Sequence, residues 1–136
     1  MRYMLLILLC ALCACTRNGG RTGEWIPNES LAIVSEHDGK IVLTHSDIFS
    51  AIISVEAKTE ERTIWIQPTQ DAVGRYWGLP EEEPLAIRVG GRTVARFKKS
   101  ALIGTATYFP VPDTLRADGT RLHELLFTYH RFDSVP

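Results

Sequence analysis

A chain of 136 residues, 45% hydrophobic and 23% charged, has room for one soluble domain and a short appendage, and its length excludes two full domains. Its 15 Lys and Arg against 16 Asp and Glu leave a formal net charge of −1. No overall field draws in DNA, RNA or anionic lipid, so a nucleic-acid partner is not expected.

Residues 1–14 stand apart. Arg2 supplies a positive charge, and Leu5 to Ala14 then run LLILLCALCA without a polar side chain. As a helix that run reaches about 15 Å, roughly half of a ~30 Å hydrocarbon core, which is the proportion of a cleaved signal peptide rather than a membrane span. All three cysteines, Cys10, Cys13 and Cys15, precede residue 16. Leu12-Cys13-Ala14-Cys15 resembles the lipobox of bacterial lipoproteins, with Leu three before the acceptor and small Ala directly before it. The resemblance implies cleavage ahead of Cys15, a lipid on its sulfur and a mature domain without thiols. Each buried acyl CH₂ contributes about 0.8 kcal/mol, so a multiply acylated Cys15 holds a membrane firmly. Thr16 after it, rather than Asp, is similar to lipoproteins sorted to the outer membrane of two-membrane bacteria. The plainer alternative is an ordinary secretory signal in which cysteine serves as a small hydrophobe.

From Cys15 to residue 24 the chain reads as a lipidated residue and a flexible tether, since TRNGGRTG has three glycines and spans about 16 Å root-mean-square. Residues 25–136 read as a single α+β domain. Leu31-Ala32-Ile33-Val34-Ser35, the turn signal Glu36 to Gly39 and Lys40 to Leu43 predict a first hairpin. A second is predicted with Ile53, Val55 and Ala57 on one strand, Ile64 and Ile66 on the other, and a turn near Thr59 to Arg62. Thr69 is placed to cap a helix ending at Gly78 with Val73, Tyr76 and Trp77 on its inner face. Leu85-Ala86-Ile87-Arg88-Val89 and the return strand flank Gly90-Gly91, which suits a tight turn, with Leu85, Ile87 and Val89 expected against Val94. Ala101 to Phe109 predicts another strand with a bulge at Gly104, then a loop Pro110 to Asp113. Leu122, Leu125, Leu126 and Tyr129 predict a closing helix within Asp118 to His130. Hairpins with two helices and no βα alternation give a mostly antiparallel sheet with both helices packed on one face.

The order of these motifs resembles the head of the first periplasmic domain of SecD, the protein-export subunit beside the Sec translocon. The likeness runs from about Leu43 to Phe109. It rests on Leu43-Thr44, Asp47-Ile48, Ala51, Tyr76, Leu85 to Gly91 and Ile103-Gly104; Gly90 stands where that family favours Asp, and Ile103-Gly104 lacks a second glycine. The resemblance implies a periplasmic binding or handling module without catalysis of its own, freed from the export motor and fixed to a membrane by lipid.

His45-Ser46-Asp47 has the residue types of a hydrolase triad, but neighbouring side chains diverge, so the run reads as a capped turn with Asp47 accepting backbone N–H groups. His123 and His130 are separated by about 10 Å along one predicted helix, against the three- or four-residue spacing of helical metal pairs. Neither a zinc shell nor any other metal site or cofactor is expected. Glu81-Glu82-Glu83 lies between prolines without the alternating ligands of a calcium loop and reads as a solvated connector. Arg88, Arg92, Arg96, Lys98 and Lys99 form the basic concentration; they either guard an edge strand or offer a binding surface for acidic peptide or phosphate. Trp65 and Trp77 read as core, and Trp25 as exposed.

Together these readings predict a non-enzymatic, membrane-anchored envelope lipoprotein facing the periplasm that binds a protein or peptide. The alternatives are a small inhibitor or immunity-type lipoprotein and, from another class, a hydrolase, for which nucleophile, base and orienting acid do not assemble.

Overall fold

In the computed structural model, residues 23–101 and 107–132 are described. The expected signal peptide, Cys15, nearly all of the tether and the Ile103-Gly104 motif lie outside the described residues. The strands are β1 (Gly23–Pro27), β2 (Leu31–Ser35), β3 (Ile41–Thr44), β4 (Ile48–Val55), β5 (Arg62–Pro68), β6 (Pro84–Val89), β7 (Arg92–Lys98), β8 (Phe109–Pro112) and β9 (Phe127–Arg131). A 3₁₀ turn (His45–Asp47) joins β3 to β4, helix α1 (Gln70–Trp77) follows β5, and a short helix α2 (Leu122–Leu126) precedes β9. β1 begins at Gly23, inside the stretch read as tether. Strand order is β3-β2-β6-β7 in one sheet, β4-β5-β8 in a second, and β1-β9 in a third. The strand pairs of the two larger sheets are antiparallel, so the domain is α+β with mostly antiparallel sheet. Trp25–His130 forms one compact unit.

The three hairpins form where the turn chemistry allows. In the first, Gly39 takes φ +71°, and its N–H donates to Ser35 O while Ser35 N–H donates to Lys40 O. In the third, Gly90 and Gly91 take φ +59° and +77°, the left-handed pair that a two-residue turn between twisted strands requires. Its register departs from expectation. Leu85 faces Phe97, Ile87 faces Ala95 and Val89 faces Arg92, because a bulge beside Val94 takes that residue out of the pairing. The second hairpin pairs Ala51 with Ile66 and Ile53 with Ile64, and Ala57 falls in the turn rather than the strand.

Inward side chains of both larger sheets meet α1 in one core. Leu31, Ile33, Leu43, Ile64, Ile66, Leu85 and Ile87 are fully buried there. Phe97 of one sheet stands 6.3 Å from Phe109 of the other, and Tyr76 of α1 stacks on Phe109 at 3.9 Å. Each such ring pair contributes about 1 kcal/mol beyond its buried area. Burial pushes the Tyr76 hydroxyl well above its ordinary range. The inner face of α1 is Ala72 and Tyr76 rather than Val73, Tyr76 and Trp77; a fully buried alanine lets the helix sit close to β3 and β5.

Two elements correct the sequence reading. Phe109, expected to end a strand, instead opens one, and Pro110 to Pro112, read as loop, continue it. Phe109 and Val111 point inward, and Pro110 and Pro112 share the other parity, so the N–H groups they lack belong to the outer side of an edge strand. The closing helix is cut to five residues, because at Phe127 the backbone turns extended (φ −137°, ψ 148°) and Phe127-Thr128-Tyr129, rich in strand formers, joins β9.

Candidate functional site

The basic residues sit on the β6–β7 hairpin, and β7 is an outer strand of the four-stranded sheet. Four of the five are exposed: Arg88, Arg92, Arg96 and Lys98. Lys99 is not part of this surface. It is 5% exposed, its Nζ donates to Trp77 O at 2.9 Å and Leu79 O at 2.5 Å, and it lies 5.7 Å from the Trp77 ring centre. There it neutralises the carbonyl end of α1. The sequence held the signal, since adjacent lysines leaving a strand project to opposite sides.

The remaining four divide again. Arg96 Nε lies 2.6 Å from Glu36 Oε1, and Lys98 Nζ lies 3.3 Å from Glu82 Oε2. The acidic connector is therefore engaged rather than simply solvated, since Glu83 also accepts from Ser35 Oγ at 2.5 Å. Arg88 and Arg92 form no ion pair among the described residues, and they flank the Gly90-Gly91 turn. Of the basic concentration, only this tip offers uncommitted positive charge.

His45-Ser46-Asp47 is a structural brace. Asp47 Oδ2 accepts from Thr44 N–H at 2.9 Å and from Thr44 Oγ1 at 3.1 Å, while Arg75 of α1 reaches Oδ1 at 2.5 Å. Ser46 Oγ bonds Thr44 Oγ1. Burial alone opposes ionisation of Asp47, but the Thr44 N–H and Arg75 outweigh it and hold the carboxyl below its usual range.

A second polar cluster escaped the sequence reading. Asp113, its carboxylate fully buried, sits 2.9 Å from His123 Nδ1, accepts from His123 N–H at 3.0 Å, and pairs with Arg62 Nε at 3.2 Å. Trp25 meets the His123 ring edge-on at 5.3 Å and Tyr129 at 5.0 Å. His123 and His130 lie on different elements, one buried and one exposed, because the predicted helix is cut short. Asp and His stand as in two-thirds of a catalytic triad, yet no Ser, Thr or Cys side chain among the described residues is hydrogen-bonded to His123. The findable signal was parity: Phe109, Val111 and Asp113 alternate inward, so an acid enters the core and needs partners. Among the described residues no three His, Cys, Asp or Glu converge as metal ligands.

Trp65 is not in the core. It is half-buried on the outer face of the three-stranded sheet and donates Nε1–H to Ser54 Oγ at 2.9 Å. Trp25 and Trp77 are half-buried against the core margin. No family model, curated protein or solved structure matches the chain. No helix among the described residues is long and apolar enough to cross a membrane.

Proposed function

We propose that this chain is an envelope lipoprotein, anchored through lipid on Cys15 to the periplasmic face of the outer membrane, whose domain is a non-catalytic module similar to the SecD head that holds a protein or peptide. The observation that carries the binding reading is the pair Arg88 and Arg92, exposed beside the Gly90-Gly91 turn and without an ion pair among the described residues, while every other cation of the group is engaged. Two uncommitted guanidiniums at a hairpin tip suit an acidic segment of a partner, with bidentate hydrogen bonding to carboxylates.

The residues that carry the SecD likeness hold structural places in the framework. Leu43, Ile48, Ala51, Tyr76, Leu85 and Ile87 are buried, Asp47 braces the turn before β4, and Gly90-Gly91 makes the hairpin turn. The same reading puts both helices on one face of the sheet. These are structural roles, so the likeness bears on the fold and the link to export is part of the proposal.

Crosslinking in intact cells tests it, with the full chain as bait, Cys15→Ser as the unanchored control, and Arg88→Glu with Arg92→Glu as the binding control. The expected result is capture of export components or unfolded exported chains, lost in both controls. One dominant envelope protein unrelated to export favours the inhibitor reading instead, and capture unaffected by the double charge reversal overturns the role of the hairpin tip.

A further inference from the structure

Among the outer strands of the two larger sheets, β4 is the longest, and its own sequence protects it little. It is an outer strand of the three-stranded sheet, eight residues long, and its sequence IFSAIISV contains neither a charge nor a proline. Phe49 is 72% exposed, Ile52 41% and Val55 54%. Edge strands that avoid pairing carry lysine, proline, inward charges or bulges; β4 has only a bulge, at Phe49, which leaves Ser50 to Val55 regular. On the outer face Ile52 stands opposite Trp65 of β5.

We propose that β4 is the self-association edge of this protein: two copies pair β4 with β4 in antiparallel register centred on Ile52, joining two three-stranded sheets into one of six strands. The occupant is a second copy because the strand is self-complementary. A two-fold axis perpendicular to the sheet requires opposed side chains to share a face, which restricts the pairing to registers centred on a residue. Centring on Ile52 sets Ile52 against Ile52 of the copy, Ser50 against Ser54, and Ala51 against Ile53, all within the regular part of the strand. Outside it, Asp47 meets Ala57, Glu56 meets Ile48 and Lys58 meets Ser46, so no like charges oppose. Centring one residue later brings Glu56 against Ser50, inside the regular pairing. The Ile52 register also lines Trp65, Ile52 and their two symmetry mates into one apolar row across the joined sheet.

The test uses the full chain with Cys10, Cys13 and Cys15 replaced by serine, in mild detergent, carrying single new cysteines under a thiol oxidant. Opposed residues in an antiparallel pair have Cα atoms about 4.5–5.5 Å apart, within disulfide reach. Ile52→Cys should give at least a roughly tenfold higher yield of disulfide dimer than Thr93→Cys on β7, whose copies the proposal keeps apart. A mixture of Ser50→Cys and Ser54→Cys chains of different tag length should link to each other and not to themselves. Equal yields for Ile52→Cys and Thr93→Cys overturn the proposal, as does self-linking of Ser50→Cys, which marks another register. Ile52→Lys supplies the second reading: it should abolish the dimer of the Ser50→Cys and Ser54→Cys mixture without moving the thermal midpoint, and a dimer that survives it contradicts pairing at Ile52.

Discussion

β7 and β4 are both outer strands, each ending a sheet, and they meet solvent in opposite ways. β7, RTVARFK, carries Arg92, Arg96 and Lys98 and has two of these tied to Glu36 and Glu82, so its rim is a charged lattice. β4, IFSAIISV, shows Phe49, Ile52 and Val55 with no charge between Asp47 and Glu56. Arg116 donates to Val94 O on β7, and the exposed side chains add to the contrast by repelling or admitting a second strand. Exposed charge separates two edges here: a hairpin tip whose guanidiniums form no ion pair among the described residues, and a strand without charge.

The largest loss is expected where the sheet behind β4 loosens. Asp113 lies where β8 ends, against Arg62 at the start of β5, and Asp113→Ala leaves His123 and Arg62 without their acceptor. A loss of about 3 kcal/mol in denaturant unfolding is expected, since removing one partner of a buried ionic group strands the other. Lys99 belongs to neither edge surface. Lys99→Met keeps an apolar stem but loses both donors to the end of α1, and it should cost about 2 kcal/mol while leaving partner capture by Arg88 and Arg92 unchanged.

Smaller effects bear on the edges themselves. The Asp47 carboxyl is held below its ordinary value of 3.8, so its contribution is fully present above that pH and fades as pH falls through the lower folded-state value. The difference in thermal midpoint between the parent chain and Asp47→Asn should therefore be constant near neutrality and shrink below about pH 4. The smallest change in stability comes from stripping β7. Arg96→Val with Lys98→Thr removes exposed ion pairs worth about 0–1 kcal/mol, yet light scattering should then show assemblies larger than the dimer that β4 alone forms.

Much of the framework was legible in the sequence because turn chemistry is local. Gly39, the Gly90-Gly91 pair and the Thr69 to Gly78 helix fall where the residues place them. What escaped was decided by partners distant in the chain. The Val94 bulge shifts β7 by one residue, β9 takes strand formers from an apparent helix, and Asp113 finds His123 and Arg62 only once β8 packs on β5. For the candidate surface, the exposed arginines could be named from sequence, but not the acids that occupy Arg96 and Lys98, nor the helix end that takes Lys99. The open character of β4 was written in its composition; only its position at a sheet margin required the structure.

The most direct measurement of the contrast between the two edges is amide hydrogen exchange of the full chain at low and high protein concentration. Amides from Ser50 to Ser54 should gain protection as concentration rises while those of β7 keep one rate. Protection of β4 that never changes with concentration, or a gain confined to β7, would contradict pairing through β4.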